Sequence, residues 1–289
     1  MRYTSLALAA AGIVACLPAA ANDWNKPQAP FALYGNTYYV GTKGLSAVLI
    51  TSPAGHILID GAGPKAPQLI VRNIRELGFK VEDIRLILNS HAHADHAGGI
   101  AELQRLSGAE VLAGSAAVPV LRSGEPDKGD PQYGDLAAMA PIARVRAVRD
   151  GEIVKLGPLA VTMHATPGHT RGGASWTWTS SEGGKAAHMV YADSLNAFGA
   201  KSFRYSGDPA YPTARADIER SIAAVAGLPC DVLVSAHPEG SDLWQRHALR
   251  AKMGTAAFID RGACRTYADK GRTRLATQLV QEAKQEVAR

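Results

Sequence analysis

The feature that most constrains this chain is a dense run of metal-ligand residue types within Ser90–Gly99. Three histidines and one aspartate occupy six positions, in the pattern His91-x-His93-x-Asp95-His96, with alanine in both gaps. In an extended loop, residues two apart point the same way, so His91 and His93 can reach one cation, while Asp95 and His96 can turn to a second. Imidazole and carboxylate without thiolate suit a borderline divalent ion, with zinc as the first choice. The small residues of the run leave room for the ions.

Two further histidines are candidate ligands. A catalytic zinc ion takes about three protein ligands, so a pair of ions needs more than four residues in all. His169 follows the strand-like run Leu159–Met163, where Pro167 and Gly168 predict a tight turn. His237 directly follows another apolar run, at positions 231–236. Either histidine alone could be an ordinary structural residue, but beside the first run both favour metal binding.

Four motifs, HAHADH, TPGHT, YADSL and SAHPEG, resemble those of the metallo-β-lactamase superfamily. Within it, the chain most resembles the class B β-lactamases of the third subclass, subclass B3, from about Phe31 to the C-terminus. The other class B subclasses have a cysteine ligand near the position of Ser194, and its absence here favours the third. The resemblance implies two zinc ions, the first held by His91, His93 and His169 and the second by Asp95, His96 and His237.

The function implied by this resemblance is zinc-dependent hydrolysis of the β-lactam amide bond, which gives a substituted β-amino acid and antibiotic resistance. Two divalent ions about 3.5 to 4 Å apart lower the pKa of a shared water and make metal-bound hydroxide the nucleophile. Asp95 is the predicted catalytic residue, since it can orient that nucleophile or carry its proton. The alternatives are an exported lactonase or thioesterase of the same fold and a non-catalytic zinc-binding protein.

Substrate contacts are expected just after the YADSL motif. The resemblance implies that Ser194 and Asn196 bind the β-lactam carboxylate, although relatives often have serine where Asn196 stands and Asn196 could be a turn residue. Many hydrolases of the superfamily, such as glyoxalase II, have a carboxylate that bridges both ions at the position of Asp193. The third subclass implies that Asp193 does not bridge, whereas a bridging Asp193 would favour a thioesterase or lactonase.

The N-terminus predicts export. Arg2 precedes the apolar stretch Leu6–Ala21, which ends in three alanines suited to cleavage, so residues 1–21 are the predicted signal peptide and residues 22–289 the metallo-β-lactamase domain. This stretch is too short for a stable membrane span, and the predicted location is the periplasm. The alternative is a lipoprotein signal with a lipid anchor on Cys16.

The two remaining cysteines are expected to pair. Cys230 and Cys264 would form a disulfide in an oxidising periplasm, and their spacing resembles a bridge of the third subclass. Two unpaired buried thiols are the alternative.

Composition favours one large domain. The chain has 289 residues, of which 46% are apolar, enough for a sizeable core. The formal charge of +5 is spread without a basic block, which argues against nucleic acid binding. A monomer that binds a small β-lactam substrate, without a stable membrane span, is expected.

The local patterns predict an α/β chain. Strands are predicted over Thr37–Asp60 and Ile84–Leu88, and hairpins over Val145–Met163 and Ala174–Tyr191, the second with its turn at residues 182–184. Predicted helices are Lys65–Leu77, Ile100–Leu106, Thr213–Ala226 and Leu275–Val287. The resemblance implies a four-layer αβ/βα sandwich with the zinc pair at the seam of its two halves.

A long segment without a periodic pattern, Arg122–Pro141, is rich in Gly, Pro and Asp. Such loops are uncommon unless they form lids or binding walls, and Tyr133 or Met139 could contact an apolar drug substituent. Packing that holds the loop down is the alternative. Trp176 and Trp178 alternate on a predicted strand and are expected in the core.

Overall fold

A computed structural model describes residues 24–287 of the chain. The predicted signal peptide and the candidate lipid site at Cys16 lie outside these described residues. Within them, the strands form one sheet of seven and one of five. No helix in this part of the chain is long and apolar enough to cross a membrane.

The first sheet has its strands in sequence order. Its first four strands are antiparallel and the last three continue in parallel from the fourth, a pattern that places the carboxyl ends of β4 to β7 on one edge. The strands are β1 Phe31–Tyr34, β2 Thr37–Tyr39, β3 Val48–Ile50, β4 His56–Ile59, β5 Ile84–Leu88, β6 Glu110–Gly114 and β7 Val145–Val148.

The second sheet is mostly antiparallel, with order β12-β11-β10-β9-β8, and only β12 runs parallel to its neighbour. Its strands are β8 Ile153–Leu156, β9 Leu159–Ala165, β10 Ala174–Glu182, β11 Lys185–Ala192 and β12 Val232–Ser235. The predicted turn at residues 182–184 is confirmed. Gly183 and Gly184 both have positive φ, at 55° and 77°, as a two-residue hairpin turn requires.

Seven α-helices occur in the described part of the chain, and several of them cover the outer faces of the two sheets. They are α1 Pro67–Glu76, α2 Ala94–Ala97, α3 Ile100–Ser107, α4 Ala117–Ser123, α5 Ala214–Gly227, α6 Leu243–Met253 and α7 Ala263–Val287. The four predicted helices are confirmed as elements, whereas β1, β6, α2, α4 and α6 were not predicted.

Three apolar layers separate the four structural layers. The first lies between the two sheets and includes Trp176 and Trp178, which are 0% and 6% exposed, so their predicted core position is confirmed. A second cluster joins the outer face of the first sheet to α1 and α3, and a third joins the second sheet to α5 and α7. The predicted αβ/βα sandwich is therefore confirmed.

Two predicted boundaries are wrong. Val145–Met163 is not one hairpin, because β7 pairs in parallel with β6 of the first sheet and only β8 and β9 pair with each other. The turn around Gly151, where φ is 74°, instead carries the chain from one sheet to the other. The terminal helix begins at Ala263 rather than Leu275. Gly271 lies inside it because an added Cβ there would stand 3.0 Å from the carbonyl oxygen of Leu195.

Glu282, near the end of α7, forms hydrogen bonds with the segment at Tyr205 and Ser206. The Glu282 carboxylate is 2% exposed and accepts the backbone N–H groups of Tyr205 and Ser206, each at 2.8 Å. The Tyr205 hydroxyl in turn donates to the carbonyl oxygen of Gly168 at 2.9 Å, next to His169. A residue of the terminal helix is thereby linked to a candidate metal ligand.

Replacing Glu282 with glutamine is expected to lower the free energy of unfolding by about 1.5 to 3 kcal/mol at pH 7, because the amide offers a donor where a backbone donor must be accepted. Burial alone would raise the pKa of Glu282, but hydrogen bonds from Gln278 and the two backbone N–H groups outweigh it and lower the pKa. The stabilisation is therefore present above the unfolded pKa of about 4.3 and is lost as pH falls through the folded pKa.

Urea unfolding of both proteins at pH 7 and at pH 4 measures this difference. Glu286→Gln removes the same charge from an exposed position of the same helix and is the matched control. A Glu282→Gln effect no larger than that of Glu286→Gln, or one that grows toward acid, would contradict the assignment.

Candidate metal centre

The first run of candidate ligands lies at the carboxyl end of β5. The strand ends at Leu88, and the carbonyl oxygen of this residue accepts the backbone N–H of Asp60 from the end of β4 at 2.8 Å. His91 and His93 follow in extended chain, and α2 then turns Asp95 and His96 in another direction. This change from extended chain to helix turns Asp95 and His96 differently from His91 and His93. His91 nevertheless also lies close to Asp95 and His96, with 4.3 Å between the ring centroids of His91 and His96.

One group contains three buried histidines, His91, His93 and His169. One nitrogen from each lies within 4.8 Å of the others. The ring centroids of His91 and His93 are 4.8 Å apart. The ring centroid of His169 lies 4.9 Å from that of His91 and 5.0 Å from that of His93. His169 comes from the turn after β9, so the two sheets meet at this group.

Each of these histidines has an outer partner on one ring nitrogen. His91 donates from Nδ1 to Oδ1 of Asp193 at 2.7 Å, and His169 donates from Nδ1 to the backbone oxygen of Asn196 at 2.9 Å. His93 uses the opposite nitrogen and donates from Nε2 to Oδ2 of Asp130 at 2.9 Å. The other nitrogen of each ring is then unprotonated and faces the group, the arrangement usual for metal-binding histidines.

A second group contains Asp95, His96 and His237. Oδ2 of Asp95 lies 3.1 Å from Nε2 of His96 and 3.3 Å from Nε2 of His237, and the two nitrogens are 3.2 Å apart. A tetrahedral zinc ion with bonds of about 2.0 Å holds neighbouring ligand atoms about 3.3 Å apart. The three atoms therefore already stand at the separations of one face of such a tetrahedron.

His237 is oriented from the other side of the site. It lies after β12, and its Nδ1 donates to the backbone oxygen of Gly44 at 3.2 Å. The ring centroid of Trp24 lies 4.9 Å from that of His237. These contacts leave Nε2 of His237 directed at the second group.

The electrostatics suit cation binding. Burial, with the neighbouring histidines, holds the pKa of His91 well below its usual range, and burial with His93 lowers the pKa of His169 to about 3. Burial would raise the pKa of Asp95, but His96 and His237 outweigh it and the pKa is lowered. Burial would lower the pKa of His96, but the Asp95 carboxylate beside it outweighs this effect and the pKa is raised. At neutral pH the site thus presents neutral imidazoles at His91 and His169 and a charged carboxylate at Asp95. Nε2 of His91 is buried and has no hydrogen-bond partner in the protein, so it is available to a bound cation.

Asp60 was missed by the sequence analysis. This fully buried carboxylate at the end of β4 accepts the backbone N–H and the hydroxyl of Ser90, at 2.7 and 2.6 Å, and the hydroxyl of Tyr191 at 2.8 Å. Its φ of 60° is uncommon for a residue other than glycine. It fixes the start of the histidine run. A polar residue directly after an apolar strand was the signal that could have found it.

The small residues of the run have two uses. The sequence analysis predicted that Gly99 leaves room for an ion. In the structure the space beside Gly99 is instead occupied by the chain itself, because an added Cβ there would lie 2.2 Å from the backbone oxygen of Gly61. Gly99 lets the turn after α2 pack on the chain that follows β4. Ala92 instead lines a cavity beside His93.

The remaining predicted residues lie around the first group. Asp193, Ser194 and Asn196 follow β11, and the first two are buried. Asn196 contacts His169 through its backbone oxygen. Segment 122–141 passes beside the same histidines, with Asp130 contacting His93 while Tyr133 is 45% exposed. The sulfur atoms of Cys230 and Cys264 are 2.10 Å apart, in the position of a disulfide bond.

Similarity to known proteins agrees with this geometry. The family model for the metallo-beta-lactamase superfamily matches residues 40–237, a range that contains all six candidate ligands. MEM-A1, a subclass B3 metallo-beta-lactamase from a soil metagenome library, is 65% identical, covers 91% of this chain and 100% of its own, and superposes with a TM-score of 0.90. MIM-1 from Novosphingobium pentaromativorans is 42% identical over 91% of this chain and 93% of its own, with a TM-score of 0.83.

Curated relatives give a weaker match. A hydroxyacylglutathione hydrolase from Anaeromyxobacter dehalogenans is 35% identical over 126 residues, which span 44% of this chain and only 38% of that enzyme. From the fold, the two ligand groups and these similarities together, the chain belongs to the metallo-beta-lactamase superfamily and, within it, groups with the subclass B3 enzymes.

Proposed function

We propose that this protein hydrolyses the amide bond of β-lactams with the help of two zinc ions. The observation that carries the proposal is the convergence of five histidines and one aspartate into two groups at the seam of the sheets. The 65% identity to a subclass B3 metallo-beta-lactamase over nearly all of the described chain supports the same substrate class.

The donor set fits zinc. His91, His93 and His169 would hold the first ion, and Asp95, His96 and His237 the second. When bound, the ions would supply the chemistry of a Lewis acid, which lowers the pKa of a bound water and polarises the substrate carbonyl. Four of the five histidines already have an outer partner on one ring nitrogen, so that little reorganisation of their rings is needed on binding.

Asp95 is the residue we assign to proton handling. Asp95 lies in α2, and its carboxylate faces Nε2 of His237 at 3.3 Å while 24% of its side chain is exposed. It can therefore contact both a ligand group and the substrate side of the site, where a positioned carboxylate orients a nucleophile or carries its proton. Ser194 and Asn196, beside the first group, are proposed to bind the β-lactam carboxylate.

A thioesterase or lactonase is the second candidate function, because the curated relatives are hydroxyacylglutathione hydrolases. That alternative would be favoured by a bridging Asp193. Oδ1 of Asp193 instead bonds Nδ1 of His91, and its Oδ2 lies toward Gly173, where an added Cβ would be only 2.3 Å away. This geometry supports an orienting rather than a bridging role and so favours β-lactam hydrolysis.

The cellular setting is also a proposal. We propose that residues 1–21 are a cleaved signal peptide, that residues 22–289 are the mature domain, and that the protein acts in the periplasm as a monomer. Cys230 and Cys264 would then be oxidised to a disulfide bond. A signal-dependent appearance of the protein in periplasmic extracts, with the N-terminus at residue 22, is the measurement that checks this.

Hydrolysis of nitrocefin and of a carbapenem by the purified protein tests the proposed function. We expect turnover of both, loss of turnover after treatment with a chelator, and recovery when about two equivalents of zinc are returned. Heat-treated protein and chelator-treated buffer with zinc are the controls.

A thioester of glutathione and a lactone are assayed in parallel. Turnover of these alone, with intact β-lactams, would replace the proposal with the second candidate. Zinc binding without turnover of any of the substrates would identify a non-catalytic zinc-binding protein.

A further inference from the structure

The loop that walls the site is tied directly to the first ligand group. This segment, residues 124–141 and here named the Asp130 loop, follows α4 and has no helix or strand of its own. Its anchor is Asp130, which is 6% exposed although the residues around positions 133–135 are exposed. A buried carboxylate requires strong partners.

Asp130 divides its two oxygens between the loop and the site. Oδ1 accepts the backbone N–H of Gln132 at 2.8 Å, which closes a turn of the loop itself. Oδ2 accepts Nε2–H of His93 at 2.9 Å. One carboxylate therefore fixes both the local loop conformation and the tautomer that leaves Nδ1 of His93 unprotonated.

Other contacts connect the same loop to the second candidate ligand of this group. The side chain of Gln132 lies 3.5 Å from Nε2 of His169. The backbone oxygen of Pro131 accepts the N–H of Ala200 at 2.7 Å, in the segment whose Asn196 oxygen orients His169. Asp127 lies 3.6 Å from the guanidinium of Arg171, two residues beyond His169. The loop thus contacts His93 at its outer nitrogen and His169 near Nε2, the nitrogen that faces the first group.

From these contacts we infer that Asp130 is a positioning residue that couples occupancy of the first metal site to the order of the Asp130 loop. The inference rests on the proposed zinc site. When His93 holds a zinc ion, its ring would be restrained in one orientation, and through the ring Oδ2 of Asp130 and the turn around it would be restrained as well. Because coupling between two binding equilibria is reciprocal, the ordered loop raises zinc affinity by the same factor by which zinc orders the loop.

The test combines zinc affinity with hydrogen exchange in the full-length purified protein. Loss of an outer partner of a ligand typically weakens metal affinity about 10- to 100-fold, and we expect this for Asp130→Ala in competition with a chromophoric chelator. Asp130→Asn keeps one acceptor oxygen, and its zinc affinity should lie between those of the wild type and Asp130→Ala. Asp135→Asn, an exposed position of the same loop, is the matched control and should equal the wild type.

Hydrogen exchange of the backbone amides in residues 124–135, measured with and without zinc, is the second readout. A purely structural role of Asp130 would not make this exchange depend on zinc. In the wild type, zinc should slow exchange there by about 10- to 100-fold, and in Asp130→Ala this zinc-dependent slowing should disappear. Exchange in β10 and β11 reports whether each variant is folded. Unchanged zinc affinity in Asp130→Ala, or slowing by zinc that persists in it, would overturn the inference.

The same titration separates this inference from the proposed function. A wild-type protein that binds no zinc would overturn both. A wild type that binds two ions, with Asp130→Ala indistinguishable from it, would overturn the coupling and leave the proposed zinc centre standing.

Discussion

Replacing Asp95 with asparagine is expected to lower kcat for β-lactam hydrolysis by about 10²- to 10⁴-fold, the range over which a positioned acid–base group contributes. Oδ2 of Asp95 lies 3.1 to 3.3 Å from Nε2 of both His96 and His237, so the substitution places a neutral oxygen or an NH₂ group where the only negative charge of the second group stood. The zinc content should fall from two ions toward one. Steady-state kinetics with nitrocefin and metal analysis of the same sample measure both effects.

Asp135→Asn removes the same charge from an exposed loop position and should leave kcat and zinc content as in the wild type. If Asp95→Asn keeps two ions and loses kcat, proton handling is the dominant role. If it loses an ion and kcat together, ligation is dominant. Wild-type turnover in Asp95→Asn would show that neither role belongs to this carboxylate.

The second large effect concerns stability. Cys230 and Cys264 are separated by 34 residues, and the proposed disulfide between them should stabilise the fold by about 3 to 4 kcal/mol on the chain-entropy treatment of cross-links. The double substitution to serine should therefore lower the unfolding midpoint by about 10 °C in a domain of this size. Both side chains are buried in the apolar layer under α5 and α7, and the bond joins the chain just before β12 to the start of α7.

Thermal unfolding in the presence and absence of reductant checks this expectation. The reduced wild type should approach the double variant, and reductant should leave the variant unchanged. If the oxidised wild type and the double variant unfold at the same temperature, the cysteines are not cross-linked in the folded protein.

The candidate ligand residues could be predicted from sequence because their signals are local. His91, His93, Asp95 and His96 stand together in one run, and His169 and His237 each follow an apolar run that does form a strand. Helix boundaries set by local patterns, such as the end of α3 at Gly108 with φ of 74°, were equally accessible. The four-layer arrangement was implied by the family resemblance rather than by any pattern.

The outer partners could not be predicted in the same way. Asp130 is 37 residues from His93 and lies in a loop without a pattern, so only the folded chain brings them together. The wrong assignment of β7 to a hairpin has a similar cause. Val145 in β7 pairs with Val111 in β6, and this pairing depends on contacts across the sheet rather than on the neighbouring sequence. The hydrogen bonds from the outer partners, such as Asp130, determine which nitrogen of each histidine is free, and therefore how the site can bind metal.

A crystal structure of the protein grown with excess zinc, with data collected on both sides of the zinc absorption edge, tests the central claim most directly. The account predicts two anomalous peaks about 3.5 to 4 Å apart, one bound by His91, His93 and His169 and the other by Asp95, His96 and His237. A map without anomalous density among these six side chains, or with zinc bound only elsewhere on the surface, would contradict it.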